Sequence, residues 1–215
     1  MTEDIACMID HTLLKADATS AQMEKLCAEA RQFGFAAVCV NPSWVPLCSR
    51  LLGGSGVRVC TVIGFPLGCT STESKAAEAE TAIEQGAEEL DMVINLGWLL
   101  DGEDRHVMED IEAVVQAAQG RAVKVIIEVC FLNREQTIRA CQLSKKAGAT
   151  FVKTSTGFGT GGATEEAVRL MRQTVGADMG VKASGGIRTR DDALRMVKAG
   201  ANRIGTSTGV AIAEG

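Results

Sequence analysis

The chain has 215 residues, 46% of them hydrophobic and 23% charged, and a formal net charge of −5. This predicts one folded domain over residues 1–215 and excludes a disordered or fibrous chain. No basic run supplies the footprint that a phosphate backbone requires, the acidic start MTEDIACMIDHTLL lacks the charge of a secretion signal, and no apolar stretch reaches the length of a membrane span. A cytoplasmic protein with neither nucleic acid nor membrane as partner is expected.

Eight short apolar, β-branched runs follow one another along the chain, at residues 7–14, 36–42, 57–65, 89–95, 123–131, 150–156, 180–186 and 202–208. Longer segments with helical signals separate them, the alternation of βα units that build a parallel sheet. Thr19 with Gln22, Asn133 with Gln136 and Thr189 with Asp192 are spaced as helix-opening pairs. Lys145 and Lys146 before Gly148, and Lys198 before Gly200, are spaced as helix endings. The run KAGATFVKTSTG (146–157) is echoed by KAGANRIGTSTG (198–209), so two βα units share one template. Eight strands, no linker and this repetition predict an α/β fold, a single-domain (β/α)8 TIM barrel, over an open sheet.

Strands buried on both faces should be continuously apolar, so Asp91, Glu128, Lys153 and Lys182 within such runs need a reason. In a barrel, inward residues near the strands' carboxyl ends converge, which would let Asp91, Lys153 and Lys182 meet. Two ammonium groups in a partly desolvated pocket disfavour each other's charge, and a neutral amine is a nucleophile that can turn a carbonyl into an iminium. Asp91 is then the candidate for proton transfer. In the echo Lys153 stands where Gly205 stands, so the shared template does not itself require a lysine. With two histidines and no tyrosine in the chain, a histidine triad or multi-histidine metal site is not expected. Eight cysteines without a CxxC pair suggest small buried thiols, with Cys39, Cys60 and Cys130 falling in strand-like runs. No cofactor or metal is expected.

Glycine-rich segments follow the last three runs: GFGTGG (157–162), SGG (184–186) and GTSTG (205–209). Loops of this kind at helix amino ends suit a phosphate dianion, and barrels often bind phosphate in this part of the chain. Gly157, Gly159 and Gly162 satisfy GxGxxG, but the preceding run carries Lys153 and no ribose-binding acid follows about twenty residues on, so a dinucleotide is not the expected ligand.

IDHTLL, VCVNP, VIGFPLG, ELDMVIN, VKVIIEV, FVKTSTGFGTGGAT, VKASGGIRT and RIGTS together resemble the deoxyribose-phosphate aldolase family over residues 8–209. The resemblance implies metal-free, reversible aldol cleavage of 2-deoxy-D-ribose 5-phosphate to D-glyceraldehyde 3-phosphate and acetaldehyde. It implies Lys153 as the Schiff-base lysine, Lys182 as the second lysine that perturbs it, and Asp91 as the proton-transfer acid. Asp10, Thr12 and Cys39 would line the substrate side; Gly157, Gly185, Gly186 and Ser207 would grip the phosphate. It also implies a homodimer or higher homo-oligomer. Some family members end in a tail with a terminal tyrosine that assists proton exchange, whereas this chain ends AIAEG without one. Two other readings fit parts of the pattern: a Schiff-base aldolase for another phosphorylated aldehyde or ketose, and a non-catalytic sugar-phosphate sensor.

Overall fold

The computed structural model describes residues 5–215. Strands β1 (Ile9–Leu13), β2 (Ala37–Val40), β3 (Arg58–Ile63), β4 (Glu89–Val93), β5 (Ala122–Ile126), β6 (Phe151–Lys153), β7 (Gly180–Ser184) and β8 (Arg203–Thr206) pair in parallel in sequence order. β8 then pairs with β1, closing the barrel. Outside it lie α1 (Ser20–Phe33), α2 (Val45–Leu52), α3 (Thr72–Glu84), α4 (Leu96–Asp101), α5 (Asp104–Ala117), α6 (Arg134–Lys146), α7 (Glu165–Val175), α8 (Arg190–Ala199) and α9 (Gly209–Glu214). The (β/α)8 architecture expected from the sequence is the one found. No helix among the described residues is long and apolar enough to cross a membrane.

The helix signals act as their chemistry requires. Asn133 Oδ1 accepts from Gln136 N and Gln136 Oε1 from Asn133 N, both at 2.9 Å, and Thr189 and Asp192 exchange the same pair of bonds at 3.1 Å. Each such cap stabilises its helix by about 1 kcal/mol. Gly200 ends α8 with φ 115°, a backbone that a side chain would strain.

Two boundaries differ from the expectation. Residues Ile5–Met8 form a 3-10 turn ahead of β1, so the first run is strand only from Ile9. β5 stops at Ile126: Glu128 turns left-handed at φ 50° and Val129–Phe131 close a 3-10 turn, so Glu128 and Cys130 lie beyond the strand. The backbone stays tied to the next unit, because Ile127 N donates to Lys153 O at 3.0 Å and Val129 N to Thr154 O at 2.9 Å.

Alternation along each strand sends one set of side chains outward and the other inward. On β4, Leu90 and Met92 join the main apolar core between sheet and helices, with Ile111 and Val114 of α5 and Met171 of α7. Each such fully buried aliphatic side chain contributes roughly 1.5–3 kcal/mol. A buried ion pair is embedded in that layer: Lys75 Nζ of α3 lies 2.5 Å from Asp110 Oδ2 of α5 and donates to Val93 O at 3.0 Å. Burial pushes the Asp110 carboxyl up despite this partner.

The barrel interior is different. Branched apolar residues usually fill it. Here one apolar cluster, Ala37, Cys39, Cys60 and Val62 with Leu14, fills one side. Cys39 and Cys60 thus serve as small buried residues, as the sequence suggested. At the amino-terminal end, a Cβ on Gly180 would fall 2.1 Å from Phe151 Cδ1. That glycine makes room for the Phe151 ring to close the floor, with the Arg203 guanidinium 5.6 Å above the ring centre.

Candidate active site

Opposite the apolar cluster the interior holds a set of buried charges. Strand register sets Lys182 between Lys153 on one side and Arg203 on the other, and Asp91 beside Lys124. Lys153 Nζ and Lys182 Nζ both donate to Asp91 Oδ2, each at 2.7 Å. Asp91 Oδ1 accepts from Lys124 Nζ at 2.8 Å and from the Cys60 thiol at 3.1 Å. Lys182 also donates to Asp10 Oδ2. Arg203 bridges Asp10 Oδ1 at 2.7 Å and Glu89 Oε1 at 3.1 Å, and Glu89 Oε2 lies 2.5 Å from Lys124 Nζ.

Asp10, Glu89, Asp91, Lys124, Lys182 and Arg203 hold one another ionised. Burial alone would push Asp91 up, but the ammonium groups of Lys124, Lys153 and Lys182 outweigh it and hold its carboxyl well below the usual range. Asp10 and Glu89 are likewise buried against cations, and both carboxyls end below their ordinary values. Burial would favour a neutral Lys182, yet Asp10 and Asp91 raise it. Lys124 and Arg203 are raised for the same reason, against the effect of their own burial. Burial pushes the Cys60 thiol well up, and its hydrogen bond brings Cys39 down.

The sequence reading set two lysines against each other directly. The structure instead inserts Asp91 between them, so their repulsion is mediated by a shared carboxylate oxygen.

Above the cluster, at the strands' carboxyl ends, opens a cavity of about 400 Å³. Lys153 stands at its base, and Thr12, Gly157, Gly185, Gly186 and Ser207 line it. The proposed phosphate residues therefore share one cavity with the proposed nucleophile. Asp10 and Cys39 do not line that cavity: both are fully buried in the interior below. Asp91 and Lys182 are sealed there too, which leaves Lys153 as the member of the cluster that reaches the opening.

The glycine loops are placed less simply than expected. Thr164 caps α7 and Thr189 caps α8 with their own side chains, and residues 187–189 separate Gly186 from α8. Only the short α9 opens directly from its loop, at Gly209. The cavity's glycines instead permit close approach. A Cβ on Gly162 would lie 2.2 Å from Gly185 O, and Gly185 and Gly186 are left-handed at φ 86° and 82°.

Glu128 serves the site indirectly. Its carboxylate accepts from Thr156 N at 3.2 Å and from Thr156 Oγ1, fixing the backbone just before Gly157. Cys39, Cys60 and Asp91 each bring a ligand atom within 4.8 Å of the others, as do Asp10, Cys60 and Glu89. Asp91 and Glu89 are already satisfied by ammonium and guanidinium groups, so a metal ion there would have to displace a buried cation.

Sequence reasoning missed Glu89, Lys124 and Arg203. Lys124 and Glu89 lie in the same quoted runs as Glu128 and Asp91, and an ionisable residue two positions before Asp91 shares its inward face. That period was the available signal.

Comparison with known proteins makes the chain an aldolase, a carbon–carbon lyase. It belongs to the DeoC/LacD family of aldolases, whose model matches residues 5–214. The curated deoxyribose-phosphate aldolase of Geobacillus sp. (strain WCH70) is 63% identical over 216 residues, covering 100% of this chain and 97% of that protein. The solved structure of QR15, an aldolase, superposes with a TM-score of 0.95 at 41% identity over 99% of this chain and 95% of that one. A tetrameric deoxyribose phosphate aldolase from Aeropyrum pernix does so at 0.92 and 39%, over 98% and 89% respectively.

Proposed function

We propose that the chain reversibly cleaves 2-deoxy-D-ribose 5-phosphate to D-glyceraldehyde 3-phosphate and acetaldehyde through a Schiff base on Lys153, in deoxyribose catabolism. The observation that carries this is Lys153 itself: its amine sits at the base of a glycine-rimmed cavity and shares Asp91 Oδ2 with Lys182.

Neutral Lys153 attacks the substrate aldehyde, and loss of water gives an iminium. The iminium at C1 draws in the electrons of the C2–C3 bond as the C3 hydroxyl loses its proton, which releases the phosphorylated aldehyde and leaves an enamine. Protonation of the enamine carbon and attack of water free acetaldehyde and the amine. Lys182 stays an ammonium, the charged partner that disfavours a second charge on Lys153, and Asp91 takes up the hydroxyl proton through water and returns it by the same route to the enamine carbon. Asp10 orients Lys182, Cys39 packs beside the cluster, and Thr12 meets the substrate at the mouth. Gly157, Gly185, Gly186 and Ser207 hold the phosphate with backbone amides and a hydroxyl. No cofactor enters these steps. Assembly as a homo-oligomer and a cytoplasmic setting complete the proposal.

The test is borohydride reduction with deoxyribose 5-phosphate or acetaldehyde, followed by intact mass and peptide mapping. A stable adduct on Lys153 is expected. Substrate binding with no adduct would sink the mechanism and favour a sensor.

A further inference from the structure

The contacts below the cavity close on themselves. Starting at Lys182, they run to Asp10, Arg203, Glu89, Lys124 and Asp91, and back to Lys182. Cations and anions alternate around this ring, three of each, so it is electrically neutral and every member has at least two opposite neighbours, with Lys124 also 3.8 Å from Asp10 across it. Lys153 is outside it, attached only through Asp91. The buried interior therefore holds four basic groups and three acids, and the seventh charge belongs to the one lysine of the cluster that faces the cavity.

We infer that Glu89 and Arg203, at the far end of the barrel from the cavity, are positioning residues that set the charge state of Lys153 by completing this ring. The inference rests on the Schiff-base reading of Lys153. A buried charge without a partner is costly, so the interior is most stable when its sum is zero. With the ring intact, that sum is reached when Lys153 gives up its proton, the form that attacks a carbonyl. Without the Arg203 charge, three acids face three lysines and the balanced state keeps Lys153 protonated. Without the Glu89 charge, the excess of positive charge grows and deprotonation is favoured.

Every strand besides β6, which carries Lys153 itself, supplies a group that faces this balance: Asp10 on β1, the thiols of Cys39 and Cys60 on β2 and β3, Glu89 and Asp91 on β4, Lys124 on β5, Lys182 on β7 and Arg203 on β8. Arg58 also reaches Glu89, at 2.8 Å, but its side chain is 52% exposed and water screens it. Lys15 and Arg188 stand at the open mouth, and Glu128 is committed to Thr156.

The experiment measures the initial rate of borohydride-trapped acetaldehyde adduct at Lys153 against pH, in the native chain and in Arg203→Met, Glu89→Gln, the double variant and Arg203→Lys, with melting temperatures alongside. The midpoint is expected to rise in Arg203→Met and fall in Glu89→Gln, each by roughly half a pH unit or more, less than a charge in direct contact produces. The double variant and Arg203→Lys should return toward native. A purely structural role would lower trapping in both single variants without opposite shifts, and that result overturns the inference. If Arg203→Met does not fold, Glu89→Gln decides alone: a lower midpoint supports the inference, an unchanged or higher one overturns it. Absence of adduct in the native chain would instead overturn the Schiff-base reading beneath it.

Discussion

Gly205 faces Lys182 across the strand pair: a Cβ on Gly205 would lie 3.1 Å from Lys182 Cε and 3.0 Å from Ser184 Cβ. In the internal echo Gly205 is the counterpart of Lys153. The two copies of the template flank β7, and one carries a lysine where the other must leave space for its neighbour. Gly205→Ala should keep the fold, since the contacts are tight rather than impossible, but push Lys182 off Asp10 and Asp91. The expected result is a kcat lowered roughly ten-fold, the cost of about 1.4 kcal/mol of lost positioning. Steady-state kinetics with a melting curve checks it; an unchanged kcat would show that Lys182 has room to spare.

Lys153→Ala removes the one interior basic group that the ring does not need. Turnover should fall on the order of 10⁴-fold or more, as when an enzyme loses its nucleophile, while the melting temperature stays at or above native. Lys182→Ala is the contrasting case, because it strips a partner from both Asp10 and Asp91. It should lower activity and also destabilise the fold by about 3–5 kcal/mol. Paired calorimetry and kinetics would separate the two, and a Lys153→Ala variant that melts far below native would contradict the ring picture.

Glu128 acts on the loop rather than on the reacting atoms. Glu128→Ala leaves Thr156 N–H without its acceptor and frees the backbone next to Gly157. We expect KM for a phosphorylated substrate to rise more than kcat falls, with a stability loss of about 1.5–3 kcal/mol for the charged hydrogen bonds. Activity toward a non-phosphorylated aldehyde should change less. Equal losses on both substrates would place Glu128 elsewhere in the mechanism.

Stability should be flat near neutrality and fall on both sides. Asp10, Glu89 and Asp91 have lowered carboxyls, so their contribution is present above the ordinary carboxylate range and is lost as pH falls through the folded values, beginning below about pH 4. Burial pushes the Cys141 thiol up to about 12. The unfolded thiol ionises from about pH 8.5 upward while the folded one does not, so stability declines as pH rises through that window. A melting-temperature profile from pH 3 to 11 checks both limbs. A profile that stays flat down to pH 3 would mean the ring carboxylates are less well paired than the distances indicate.

The strand order was legible because each apolar run is bounded by a cap or glycine whose chemistry is local. The closed barrel followed from that count. Lys153, Lys182 and Asp91 were legible as charges out of place in such runs. Arg203 was not, because at the start of a strand it looks like a solvated end charge, and only pairing with Lys182 across β7 and β8 turns it inward. Lys75 was hidden for a similar reason: it lies in a helix rich in glutamate, and its burial depends on how α3 meets α5. Glu128 was read as part of a strand because its left-handed turn is imposed by a tertiary bond to Thr156, which no local pattern announces.

The buried ring beneath Lys153 makes the cavity a well with one entrance. Traffic through such a well is last in, first out. On the proposed Schiff base and phosphate grip, a fragment bonded to Lys153 at the bottom would not pass a phosphorylated fragment held at the rim, so the rim fragment should depart first and the water that releases the second should enter behind it. In the synthetic direction the order inverts: the small aldehyde must load before the phosphorylated one, and an excess of the latter should act as a cork.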